Sequence, residues 1–209
     1  MTAVNERDVS LYINFVLHAV LGRMAEADSI MRMAAPSIAR VADRLRAAHP
    51  IAPGPIYRGV LLDPAKPIAI DLAYTFMSWT EDRDVARWFG SCESIVSEPL
   101  ASSDSTLRGF VLALDAAPSR ILFHHAWRHA FGIPLEKLAL GHPMMGDEGC
   151  EQIGWNLRTQ HEVIIEPPDA LPAATPIENL NGCSMVELDR KLTPPSTHSG
   201  FIVRLGAMP

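Results

Sequence analysis

The chain has 209 residues, 48% of them hydrophobic, which is enough apolar side chain to bury the core of one globular domain. Charged residues make up 20% and the formal net charge is −6, which excludes the overall basic field that drives non-specific binding to nucleic acid or anionic membrane. The three cysteines, Cys92, Cys150 and Cys183, are far apart with no Cys-x-x-Cys pair, so neither a disulfide framework nor a structural zinc module is indicated.

At the N-terminus, "MTAVNERDVS" places Glu6 and Asp8 ahead of the apolar run "LYINFVLHAVLG". That run lacks the basic start and small-residue cleavage site of a signal peptide, contains Asn14 and His18, and is too short to span a bilayer. It is expected to be a packed helix of a non-secreted, cytoplasmic protein. From Val9 to His49 apolar residues recur at helical spacing, interrupted around Asp28 and at Pro36, which predicts two or three helices. The segment "HPIAPGP" breaks this pattern. Beyond it, "PIYRGVLL", "IDLAYTFMSW", "RGFVLALD", "SRILFHH" and "HEVIIEP" read as strands.

Between the second and third of these, "SWTEDRDVARWFG" predicts a helix with a Ser78–Glu81 capping box that buries Val85, Ala86, Trp88 and Phe89 and stops at Gly90. "SCESIVSEPLASSDST" is expected to be a surface loop and "HHAWRHAF" a second helix. After Pro167 the chain turns proline-rich and irregular, with "CSMVELDRKL" a short helix candidate and "FIVRL" a last strand candidate.

Three polar residues stand at strand edges: Arg58 in "IYRGV", Ser78 in "FMSWT" and Glu162 in "QHEVII". Each has an ordinary explanation by itself, as a strand end, a helix cap or a solvated terminus. Their order and contexts carry more. An aromatic-Arg-Gly strand, then an aromatic-apolar-Ser-x-Thr strand before a helix with a late aromatic residue, then Gln-x-Glu opening an apolar strand, resembles the ADP-ribosyltransferase family. The likeness is to its arginine-serine-glutamate branch, which includes the C3-like toxins and phage-encoded transferases, and it covers roughly Pro55 to Pro168.

The resemblance implies an α+β fold: N-terminal helices packed on a split two-sheet, mostly antiparallel core. It would form one domain, with a helical lobe over 1–50, an NAD-binding catalytic core over 51–168 and a tail over 169–209. It implies NAD as co-substrate, no metal, and transfer of ADP-ribose to a macromolecular acceptor, as in an intracellular toxin or phage effector. Glu162 would stabilise the positive charge that develops on the ribose when nicotinamide leaves. Arg58, with Gly59 beside it, would grip a phosphate, where a planar guanidinium offers paired donors. Ser78 would orient Glu162 and shape the nicotinamide-ribose pocket, with Thr80 as a secondary member of that motif.

Strand alternation would make Gln160 and Glu162 face the same way, leaving Gln160 to reach the acceptor. A glutamine there goes, in the family, with asparagine modification, while a glutamate goes with arginine. "GCEQIGWNLRT" would be the turn facing the target, with Trp155 either an exposed contact or packed inward. Phe89 and Tyr57 likewise either line the nicotinamide pocket or belong to the core.

Competing signals are present. His125 and His129 at i, i+4 with His142, Asp147, Glu148 and Cys150 downstream could hold a metal, yet the Glu of the metalloprotease motif is missing, since Ala126 follows His125. Arg120, Arg128 and Lys137 form a basic cluster that leaves a nucleic-acid acceptor open. No Gly-x-Gly-x-x-Gly occurs, which disfavours a Rossmann domain. The rival functions are an NAD glycohydrolase, in which water replaces the acceptor, and a non-enzymatic interaction module of the same fold.

Overall fold

The computed structural model describes residues 4–62, 74–90, 108–138, 147–167 and 175–179. The chain is α+β and divides into two compact units. The first comprises Met1–Gly54, Asp71–Trp79 and Ala116–Pro167; the second comprises Pro55–Ile70, Thr80–Asp115 and Pro168–Pro209.

The first unit opens with helix α1 (Glu6–Val20). Its start is a reciprocal box: the Asn5 side chain accepts from the Asp8 amide at 2.9 Å, and the Asp8 carboxylate accepts from the Asn5 amide at 3.3 Å. Its end is set by Gly22 at φ +71°, with the Gly22 amide donating to Ala19 and the Arg23 amide to His18, so the last carbonyls are met within a tight left-handed turn. Helix α2 (Met24–Ala48) follows at once and runs through Asp28 without a break. It kinks at Ala34 (φ −128°, ψ 19°), two residues before Pro36, whose ring clashes with the preceding turn and removes an N–H donor. The predicted interruption at the proline is therefore present as a break in helical geometry at Ala34, where two helical segments meet across the kink.

The two helices pack on each other, and Tyr12, Phe15, Val16 and Ala19 on α1 and Ala27, Met31, Ile38, Val41 and Leu45 on α2 are buried. Asp8, 3% exposed, pairs with Arg40 at 2.7 Å. The hydrogen bond from Arg40, aided by Ser37 and opposed by burial, lowers the Asp8 carboxyl to about 2. A depressed carboxyl contributes stability that is present above its unfolded value near 3.8 and is lost as pH falls through about 2. Asp8→Asn is accordingly expected to lower the Tm at pH 7, and the gap from the parent should close as thermal melts are repeated toward pH 2. A gap that stays constant with pH would count against the pairing.

Strand β4 (Ile121–His124) lies beside β5 (Glu162–Ile165), antiparallel, and β5 neighbours β2 (Met77–Thr80), giving the order β4-β5-β2. All residues of β4 and β5 are buried, as a near-continuous apolar run should be when both faces are covered. The helices are tied to β4 and to the 3₁₀ helix that follows it (His125–His129) by side chains meeting main-chain carbonyls. Tyr12 donates to Leu122 at 2.9 Å, Arg46 donates to Ile121, and the Trp127 indole donates to the His49 carbonyl at 3.0 Å. Helix α5 (Asp147–Thr159) completes the unit with the short α4 (Leu135–Leu138), its Ile153 and Leu157 fully inside.

In the second unit β1 (Pro55–Leu62) pairs antiparallel with β3 (Arg108–Asp115) over eight residues, from Pro55↔Asp115 to Leu62↔Arg108. β6 (Thr175–Asn179) adds to the far edge of β3 with a register shift between Val111 and Leu112. On the other edge of β1, Tyr57 stands opposite Thr80. Helix α3 (Arg83–Gly90) packs on β1 and β3, burying Val85 and Ala86. The predicted serine-rich loop and the candidates in the tail beyond Asn179 lie outside the described residues.

Candidate functional site

Ser78 is the half-buried member of β2, between the buried Met77 and Trp79. The chain leading into it is pinned by α2. Asp28 accepts from the Thr75 amide at 2.6 Å and the Thr75 hydroxyl at 2.7 Å, and also from Arg32 at 2.6 Å. Burial raises the Asp28 carboxyl, but the Thr75 and Arg32 donors together outweigh it and hold it below its ordinary value. Phe76 then locks edge-on to Phe15 at 5.1 Å. With its approach fixed in this way, Ser78 donates its hydroxyl hydrogen bond to Oε1 of Glu162.

The predicted Ser78–Glu81 capping box is therefore not formed. Ser78 lies within a strand, and Asp82 caps α3 instead, accepting from the Asp84 amide at 2.8 Å and the Val85 amide at 3.4 Å. The two patterns overlap in the sequence, and the sheet claims the serine because its neighbours Met77 and Trp79 are core.

Glu162 opens β5 at 4% exposure. Its Oε2 has no hydrogen-bond partner among the described residues. Burial pushes its carboxyl from 4.5 up to about 7, against the Ser78 hydroxyl, which favours the ionised form. A carboxylic acid in this setting is poised near neutrality, a property that clusters at functional sites.

The residues leading to Glu162 differ from expectation. "GCEQIGWNLRT" lies in helix α5, not in a turn. Apolar residues at Ile153 and Leu157 satisfy the helical period, while Gly149 and Gly154 mask it by lowering the intrinsic preference. Gln160 is not part of the strand either: its amide donates to the Asn156 carbonyl at 2.8 Å, extending the helix end. His161 then reverses the chain at φ +46°, in the left-handed region, and β5 begins at Glu162. Strand alternation thus does not govern Gln160. Its Nε2 instead donates to the Asn156 side chain at 3.2 Å. Trp155 on the same helix is half-buried. The His161 ring stacks on His125 at 4.9 Å, and His125 stacks on His124 at 4.7 Å.

In the second unit Arg58 sits mid-strand opposite Leu112, and burial lowers its proton affinity from the ordinary arginine value. Gly59 is where α3 touches β1: a Cβ there would fall against the Ala86 carbonyl, the Gly90 amide and, at 2.8 Å, the Phe89 carbonyl carbon. Thr80 is buried, its hydroxyl accepting from the Asp82 amide at 3.0 Å. Phe89 is half-buried and edge-on to Trp88 at 4.8 Å, and Tyr57 packs on the buried pair Ala86 and Val111. Of the expected site residues, Ser78 and Glu162 are brought into direct contact. Gln160 and Trp155 belong to the same unit, and Arg58, Gly59, Thr80 and Phe89 to the other.

His125 and His129 lie on a 3₁₀ helix (His125–His129), where residues three apart eclipse, so the i, i+4 pair diverges by about a third of a turn. His142 lies outside the described residues. In the basic cluster, Arg128 donates to Glu136 through Nε at 3.0 Å and through Nη2, and Arg120 donates to the Pro167 carbonyl at 2.6 Å. No helix among the described residues is long and apolar enough to cross a membrane. Comparison of the chain with protein-family models, curated proteins and solved structures finds no match.

Proposed function

We propose that this chain is a mono-ADP-ribosyltransferase, moving ADP-ribose from NAD to a macromolecular acceptor. The observation that carries the reading is Glu162: a buried carboxyl at a strand mouth, one oxygen held by Ser78 and the other without a partner among the described residues. A buried acceptor oxygen left open is costly unless something supplies a donor, and a ribose hydroxyl is a donor of the right kind. NAD supplies the ADP-ribosyl group with nicotinamide as the leaving group.

Within that reading the side chains have distinct tasks. Ser78 fixes the carboxylate by holding Oε1. Glu162, ionised, places negative charge where positive charge grows as the bond to nicotinamide breaks, and its desolvated setting strengthens that effect. Arg58 offers paired donors to a phosphate, so Arg58→Lys is expected to raise the KM for NAD about tenfold while leaving kcat nearly unchanged. An unchanged KM removes Arg58 from the donor site.

The test of the whole reading is incubation with NAD labelled in its adenosine half and a bacterial lysate, with Glu162→Gln alongside. The expected result is label on a macromolecule, with nicotinamide released, for the parent only. Release without labelled macromolecule assigns water as the acceptor, and no release by the parent overturns the proposal.

A further inference from the structure

Glu162 lies one residue beyond the end of a ladder. The antiparallel pairing of β4 with β5 runs from Ile121↔Ile165 to His124↔Val163 and stops there, because β4 gives way to the 3₁₀ helix at His125. At the other end of β5 the main chain is fastened further, the Glu166 amide donating to the Arg120 carbonyl at 2.9 Å. On the β4 side, then, backbone pairing holds β5 from Val163 onward, and the step that carries the Glu162 carboxyl falls outside the last pair.

The contact that takes over there is between rings. His161 stacks on His125 with centroids 4.9 Å apart and planes 10° from parallel, and His125 stacks on His124 at 4.7 Å and 28°. The innermost ring is fixed: His124 is 4% exposed, and its Nδ1 accepts from the Ala126 amide at 3.1 Å, which sets the plane of the imidazole. His161 itself has φ +46°, between the end of α5 and the start of β5. That backbone does not call for a ring, since glycine adopts it without strain and asparagine readily. The stack does call for one.

We propose that His161 is a positioning residue: its ring, stacked on His125, holds the entry to β5 and so keeps the Glu162 carboxyl against the Ser78 hydroxyl. The effect on turnover rests on the transferase reading above. His161 and Glu162 share one planar peptide unit, so ψ of the first and φ of the second set where the carboxyl sits. An entry that swings carries Oε1 away from the hydroxyl that donates to it. Fixed placement is what a preorganised carboxylate requires, because no reorganisation is then left for the moment of reaction.

The test uses the full chain with NAD, reading nicotinamide release. His161→Gly keeps the turn and deletes the ring, and it is expected to lower kcat about tenfold with the KM for NAD within about twofold, since the carboxylate acts on the transition state. His125→Ala leaves the turn untouched and should give the same loss, and the two changes together should cost no more than either alone. His125→Phe keeps a flat ring under His161 and should restore kcat to within about threefold of the parent. Full kcat in His161→Gly, additive losses, or no recovery with His125→Phe overturns the proposal. A carbon-13 NMR titration of the Glu162 carboxyl needs no turnover. Its midpoint, about 7 in the parent, is expected to fall toward 4.5 in His161→Gly as the carboxyl loosens toward water, and a midpoint that is unchanged or raised overturns the positioning role. A parent that releases no nicotinamide overturns the transferase reading alone, and the titration then decides the positioning role.

Discussion

Glu162→Gln is expected to reduce nicotinamide release about a hundredfold to a thousandfold and, at the same time, to make the protein more stable at alkaline pH. Both follow from one placement. The carboxyl is buried and its value is raised from 4.5 to about 7, so between those values the folded state binds a proton that the unfolded state has released. Stability is therefore complete below about 4.5 and is lost as pH rises through about 7. At 1.36 kcal/mol per pKa unit, the ionised carboxylate above pH 8 costs about 3 kcal/mol. Glutamine is nearly the same shape, keeps an oxygen for the Ser78 hydroxyl to donate to, and carries no charge to desolvate. Urea unfolding at pH 5 and pH 8.5 should show the variant gaining on the parent only at the higher pH. An equal effect at both would mean that the carboxyl is not desolvated in solution. Activity of the parent should rise with pH around 7 for the same reason, since the ionised form is the one that stabilises positive charge. Undiminished nicotinamide release by Glu162→Gln would leave Glu162 with a structural role alone.

How much of this could be read from residues alone depends on the range of the interaction. Strands β1, β3, β4 and β5 were legible because dense β-branched and aromatic runs between turn residues need no partner to be recognised. Helix α5 was hidden by its glycines, and β6 by Pro176, which a strand tolerates at an edge. The contact of Ser78 with Glu162 was legible only through an ordered motif, since 84 residues separate the pair. Nothing local announces that Asp28 would reach Thr75 across 47 residues, or that Asn156 would meet Val20 across 136. Those two polar anchors were missed for that reason. Each sits in a helix whose period calls for an apolar residue, and a buried polar side chain at an apolar position is the signal that could have raised the question.

Gly59→Ala is expected to destabilise the second unit by more than about 3 kcal/mol, at the upper end of what overpacking does. The added methyl would meet the Ala86 carbonyl, the Gly90 amide and, at 2.8 Å, the Phe89 carbonyl carbon. All three are main-chain atoms of α3, so no rotamer change relieves the clash, and Ala86→Gly in the same chain should give no rescue. The helix must lift from β1, and hydrogen exchange at the β1 and β3 amides should quicken together. This also separates two reasons for a glycine beside Arg58. If the glycine exists to let a phosphate approach the main chain, alanine should weaken NAD binding and leave exchange as it was. If it exists because α3 rests on the strand there, protection should fall even with no NAD present. The distances favour the second, so that Gly59 acts on Arg58 indirectly, by letting α3 pack down on the strand that carries the guanidinium.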